Sequence, residues 1–283
     1  MIDNCKETFI SCESTYEKSN IVIFGAPFDG TTSYRPGTRF GSKAIRSESY
    51  GIETYSPYQD KDLTSYNIYD AGDLELPFGN TEKVLSDIEN LTFEICKNKK
   101  IPCMLGGEHL VTLGAFKGVH KIYDDICVIH FDAHTDLRED YLGETLSHAT
   151  VVKRIYDEVG DNRIYQFGIR SGEKYEFEFA KNHTKLTKFN FDGLREACEA
   201  LKGKPVYFTI DLDVLDPSEF PGTGTPEAGG VRFMELLSAI IEVSKLNIVG
   251  FDIVELSPMY DQSGRSTAIA CKILRELLLA INK

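Results

Sequence analysis

Cys127-Val128-Ile129-His130-Phe131-Asp132-Ala133-His134-Thr135-Asp136 is an apolar run with β-branched residues that ends in a burst of carboxylates and imidazoles. The apolar half reads as a buried strand. Asp132, His134 and Asp136 are spaced by two, so at an extended strand end they point to one side. Two carboxylates and one imidazole converging on a point are costly to hold together without a cation. Strands that are apolar throughout are the habit of parallel sheets covered by helices on both faces.

The same alternation extends outward in both directions. Toward the N-terminus, residues 1–20 read as a polar surface lead-in, and Ile21 to Pro27 as a first strand stopped by Gly25 and Pro27. The long loop Asp29 to Gly41 does not match a phosphate-binding G-x-x-x-x-G-K-[ST] loop and is expected to cover substrate. Ser42 to Ser49 reads as a short helix and residues 66–76 as a short strand and turn. Thr81 to Lys99 reads as an amphipathic helix with Thr81 as N-cap. Ile101 to Leu105 reads as a strand running into Gly106-Gly107-Glu108-His109 and a helix to about Val119.

Toward the C-terminus comes an acidic loop, Leu137 to Glu144, and then Ser147-His148-Ala149-Thr150 before a helix near 151–159. Arg163 to Ile169 reads as a strand, Glu173 to His183 as a charged surface element, and Phe191 to Leu201 as a helix. Pro205 to Ile210 reads as a strand that also ends in acids, Asp211, Asp213 and Asp216. A Gly/Pro/Thr loop (222–230) precedes a helix over 232–245. The strand 248–254 delivers Glu255, and a helix over 264–282 closes the chain. Alternating strands and helices predict an α/β fold of three layers, α/β/α, with a mainly parallel central sheet. No linker or repeat divides it, so residues 1–283 are expected to form one domain. Ligands of such sheets bind at the carboxyl ends of strands, where His109, Asp132 to Asp136, Asp211 to Asp213 and Glu255 all fall.

Bulk properties narrow the function. The 283 residues are 42% hydrophobic, enough for a substantial core, and carry a formal net charge of −13. That charge argues against nucleic acid, which needs a basic footprint. No apolar run of membrane-spanning length occurs. The polar start Met1 to Glu7 lacks the form of a signal peptide. The seven cysteines are scattered, with no C-x2-C pair; Cys103 and Cys127 sit in apolar runs as small core residues. This usage fits a reducing cytoplasm.

His109, Asp132, His134, Asp136, Asp211 and Asp213 offer two imidazoles and four carboxylates. One divalent cation rarely uses so many protein ligands with nitrogen among them, whereas two cations sharing carboxylates do. Oxygen-rich, thiolate-free ligation favours Mn2+ over Zn2+. Four carboxylates balance two divalent ions, and a hydroxide between the ions leaves an excess of about one negative charge. A cationic substrate neutralises that excess. His130 is expected to be a core residue or a support behind the ligands.

Three motifs in this order resemble the signature of the ureohydrolases, the family of arginase and agmatinase. They are Gly106-Gly107-Glu108-His109, Asp132-Ala133-His134-Thr135-Asp136, and Asp211-Leu212-Asp213-Val214-Leu215-Asp216-Pro217 continuing to Gly222-Thr223-Gly224-Thr225-Pro226. Glu108-His109-Leu110 departs from the family's usual Asp-His-Ser. The resemblance implies two manganese ions, with His109 and Asp136 on one, His134 and Asp213 on the other, and Asp132 and Asp211 bridging. A bridging hydroxide would then attack a guanidinium carbon, releasing urea and an amine. Glu255 matches the family's guanidinium-holding glutamate, and His148 its mobile, proton-shuttling histidine, a role suited to a group titrating near neutrality. His148, Glu255 and the ligand Asp136 are the expected catalytic residues. A homo-oligomer, trimer or hexamer, is also implied.

For the substrate, the loop after Asp136 sets Glu139, Asp140 and Glu144 against Arg138 alone. Such acids suit the free ammonium of agmatine better than the carboxylate of arginine. The stretches Phe28-Asp29, Ser33 to Gly37 and Leu146 to Thr150 also resemble agmatinases more than arginases. The expected reaction is agmatine to putrescine and urea. The alternatives are another guanidino or formimino hydrolase of the family (arginase, guanidinobutyrase, formimidoylglutamase), a metal-dependent deacetylase on a similar fold, or a catalytically silent metal-binding protein.

Overall fold

The apolar segments assemble as parallel strands, in a computed structural model that describes residues 7–282. Met1 to Lys6 lie outside the described residues, and with them Cys5 and most of the segment read as lacking a signal sequence. The strands are β1 (Ile21–Ala26), β2 (Tyr55–Ser56), β3 (Lys61–Asp62), β4 (Ile68–Asp73), β5 (Ile101–Gly106), β6 (Cys127–Phe131), β7 (Ile164–Ile169), β8 (Lys185–Lys188), β9 (Pro205–Asp211) and β10 (Asn247–Val254). The helices are α1 (Gly41–Ser49), α2 (Thr81–Lys97), α3 (Val111–His120), α4 (Val151–Val159), α5 (Lys174–His183), α6 (Leu194–Ala200), α7 (Phe233–Val243) and α8 (Arg265–Ile281).

An eight-stranded sheet runs in the order β4-β1-β5-β10-β9-β6-β7-β8, and all its pairings are parallel. Helices α2, α3 and α4 pack on one face, and α1, α6, α7 and α8 on the other. Each face encloses its own apolar core. The expected three-layer α/β/α architecture is the one found.

Register places the strand ends together. Phe131 of β6 pairs with Ile210 of β9, so Asp132 and Asp211 leave neighbouring strands at one level. Val254 of β10 pairs with Asp211. Glu255 then donates its N–H to the carbonyl of Gly107 just beyond β5 (3.0 Å). Only glycine fits at 107, because a Cβ there would sit 1.8 Å from the carbonyl oxygen of Phe28.

Several local expectations change. The N-terminal lead-in is not wholly superficial: Phe9 and Cys12 are 0% exposed, and Phe9 N–H donates to Asp70 Oδ2 at 2.8 Å. Asn80, not Thr81, caps α2, its side chain accepting from Lys83 N–H. The helix after Gly107 begins only at Val111, so His109 precedes it. The charged segment 173–183 is helical as α5, and its Glu176 is buried. Short strands β2, β3 and β8 lacked a sequence signal, being two to four residues long. The six described cysteines are free and buried, including Cys103 and Cys127. No described helix is long and apolar enough to cross a membrane.

Candidate metal centre

Four adjacent central strands carry the site. β5 delivers His109, β6 delivers Asp132, His134 and Asp136, β9 delivers Asp211 and Asp213, and β10 delivers Glu255. Each apolar strand is fixed in the core, so the polar residues following it are held at the sheet's carboxyl edge. Two of them have left-handed backbones, Asp136 with φ 51° and Glu255 with φ 66°. Such conformations are uncommon without glycine and cluster at functional sites.

The structure brings all six expected ligands together. His109 Nδ1 lies 3.0 Å from Asp132 Oδ2, 3.3 Å from Asp136 Oδ2 and 3.4 Å from Asp211 Oδ2. His134 Nδ1 lies 3.0 Å from Asp213 Oδ2 and 3.4 Å from Asp132 Oδ1. Asp132 thus belongs to two groups of potential ligand atoms, each within 4.8 Å: one with His109, His130 and Asp136, the other with His134 and Asp213.

His130 is in that first group by distance, but its ring is already committed. Its Nδ1 faces Gln166 Nε2 at 3.1 Å and its Nε2 faces Asp132 Oδ2 at 2.8 Å. Since Gln166 Nε2 can only donate, His130 donates from Nε2 to Asp132 and steadies it from behind. His109 is oriented in a similar way. Thr209 Oγ1 donates to Asp252 Oδ1 (2.6 Å) and therefore accepts from His109 Nε2 (3.0 Å). Tyr207 donates to the other oxygen of Asp252 at 2.6 Å. This relay leaves the Nδ1 lone pair of His109 facing the carboxylates.

Sequence reasoning missed Thr209, Asp252 and Gln166, and left His130 open. A usable signal existed in Asp252 and His130: ionisable residues in the middle of otherwise apolar strands need dedicated partners.

The donor set passes the test for cations. Buried His109 Nδ1 makes no hydrogen bond, although carboxylate oxygens surround it. Burial opposes the charge on His109, yet the carboxylates of Asp132, Asp136 and Asp211 push its pKa well up. Asp211 is pushed well up by burial and then by the charges of Asp213 and Asp132. Asp136 rises through burial and Asp132. A cluster that must take up protons to relieve its own negative charge is one that divalent cations can occupy instead.

A cavity of about 310 Å3 opens onto this cluster, lined by His109, His134, Asp136, Asp211, Glu255 and His148 among others. Glu255 Oε1 accepts from His109 N–H at 2.6 Å. Burial and neighbouring Glu108 push its carboxyl well up. His148 Nδ1 lies 3.0 Å from the carbonyl oxygen of Thr31, and its Nε2 lies 3.3 Å from Ser33 Oγ. Against the near-neutral expectation, burial pushes the His148 pKa down to about 4, with the Thr31 bond opposing. Its resting form is neutral.

The acidic loop departs from its expected role. Glu139 turns to Lys153 and Arg154, Asp140 accepts from Gly143 N–H, and Glu144 lines a neighbouring cavity. Arg138, Tyr141 and Glu173 line the cavity over the cluster instead.

Fold and site together define a metal-dependent hydrolase of the arginase kind, and residues 19–280 match the model of the Arginase family. The chain belongs to that family. It is 47% identical to the agmatinase of Bacillus subtilis (strain 168), over 98% of this chain and 97% of that one. A crystal structure from Clostridium difficile superposes with TM-score 0.92 at 59% identity, covering 95% of this chain and 99% of that one. The agmatine ureohydrolase of Thermoplasma volcanium superposes with TM-score 0.89 at 34% identity, covering 97% and 94%.

Proposed function

We propose that this chain is a binuclear manganese hydrolase that cleaves agmatine to putrescine and urea. The observation that carries the reading is Asp132, whose two oxygens face different imidazoles at the floor of a cavity that also holds Glu255 and His148. His109 and Asp136 would hold one ion, His134 and Asp213 the other, with Asp132 and Asp211 shared. Bound there, the cations supply Lewis acidity and lower the pKa of water toward neutrality. Thiolate-free, oxygen-rich ligation supports manganese.

The chain's own groups do the rest. Glu255, a buried carboxyl beside the cluster, binds the guanidinium and orients its carbon; the cation in turn keeps the carboxylate ionised. His148, neutral at rest, accepts at Nε2 the proton released by the attacking water. It then delivers that proton to the departing nitrogen as the C–N bond breaks. A proton acquired within the reaction removes the need for a resting pKa near neutrality.

At the cavity rim, Glu173 and the Tyr141 ring suit a distal ammonium. Arg138 favours a second reading, 4-guanidinobutyrate, whose carboxylate it could pair. Against this, two cavity-lining carboxylates face the single Arg138, Glu173 at 3.5 Å and Glu176 at 3.7 Å, which leaves that wall net negative. Ranking kcat/KM for agmatine, 4-guanidinobutyrate, arginine and formiminoglutamate tests the choice. Agmatine ranking first supports the proposal, and arginine ranking first overturns it.

The same reading includes a cytoplasmic location, supported by the free buried cysteines, and a homo-oligomer, checked by light scattering. It also includes one domain over 1–283, supported by a single large sheet drawing strands from Ile21 to Val254.

A further inference from the structure

We propose that Glu108 is a positioning residue that sets His148 for proton transfer, acting through Thr31. Glu108 follows β5 and is 0% exposed. Its Oε1 accepts from Thr31 Oγ1 (2.7 Å), and its Oε2 from Thr31 N–H (2.9 Å) and Thr32 Oγ1 (3.0 Å). Thr31 passes this anchoring on. Its Oγ1 accepts from His148 N–H and its carbonyl accepts from His148 Nδ1, both at 3.0 Å.

A carbonyl only accepts, so Nδ1 carries the proton. Nε2 is thereby left basic beside Ser33 and the cavity. The far end of the loop is pinned separately, by Asp29 accepting from Gly37 N–H at 2.8 Å and pairing with Arg39. Glu108 is therefore the anchor on the histidine's side.

Side-chain length is what this role requires. Aspartate would fall short of Thr31 and Thr32 by one methylene, roughly 1.5 Å. Glutamine keeps the reach: its oxygen can still accept from Thr31 N–H and Thr32 Oγ1, and its amide nitrogen then faces Thr31 Oγ1, which can turn its hydroxyl to accept. A role for the carboxylate's charge beside the cluster would rank these variants in the opposite order.

The inference rests on the proposed hydrolysis. The test compares kcat, KM and metal content for metal-loaded wild type, E108Q and E108D, each also in an H148A background. We expect E108D to lose about tenfold in kcat, from a displaced proton carrier, with KM and metal content held. E108Q should lose less, about threefold at most. In the H148A background E108D should cost nothing further, because both changes act on one step. The proposal is overturned if E108Q is the worse variant, if E108D loses metal, or if its loss persists in H148A. A crystal structure of E108D reads placement without turnover. It should show residues 31–33 and the His148 ring displaced, and an unmoved ring overturns the anchor. Should wild type release no urea, the hydrolytic reading fails while this structural comparison still decides the anchor.

Discussion

His109 Nδ1 stands 3.0 Å from Asp132 Oδ2 and makes no hydrogen bond there, although both side chains are buried. An unsatisfied buried polar atom costs about 1–3 kcal/mol. Here the cost is localised by construction, since Thr209 occupies the opposite edge of the ring. The atom is left for something positive: a proton in the metal-free protein, a cation in the loaded one.

That competition gives Asp211→Asn opposite effects on the two forms. The folded-state pKa of Asp211 is raised, so its ionised form opposes folding above that pKa. Without metal, Asn relieves the repulsion, and the melting midpoint at neutral pH should rise by about 3 °C. With metal, the variant should bind fewer ions and lose activity together. Scanning calorimetry with and without Mn2+ checks both signs; a lower midpoint in the metal-free form would contradict the account.

Thr209→Val breaks the relay to Asp252 and frees the His109 ring to change tautomer. Metal affinity should fall about tenfold to a hundredfold, as for other groups that orient a ligand from behind. Thr209→Ser keeps the hydroxyl and should retain affinity. Competition with a chelating dye measures both, and equal affinity in all three proteins would remove the relay from the account.

His148→Ala should leave metal content intact and lower kcat by about a hundredfold. The same residue should mark the acid side of stability. Its folded pKa, about 4, lies below the free value of 6.5, so the unfolded chain binds the proton more readily. Its contribution to stability is complete above pH 6.5 and is lost as pH falls toward 4. Wild type should therefore lose stability relative to H148A across that window; parallel urea-denaturation curves at each pH would contradict this.

The strands and the clustering of the six candidate ligands were legible because each apolar run ends abruptly in polar residues, and a spacing of two fixes the side they face. Thr209 was not, because it sits inside such a run and counts as core by periodicity; Asp252, inside another, carried a signal only through its charge. The grip of Glu108 on Thr31 spans 77 positions, and no local pattern encodes it. Glu139 shows the limit of charge counting: the loop's composition gave its sign, but Lys153 and Arg154 on the following helix decide where that carboxylate turns. Phe9 was lost in a polar segment because the pair Phe9-Ile10 is too short to show a period.

The most direct measurement is a titration of the metal-free protein with Mn2+, following bound metal and urea release from agmatine together. Urea release should climb to a plateau as the second ion per chain binds. A plateau at one ion per chain, or no urea with two ions bound, would contradict the paired site that Asp132 is proposed to bridge.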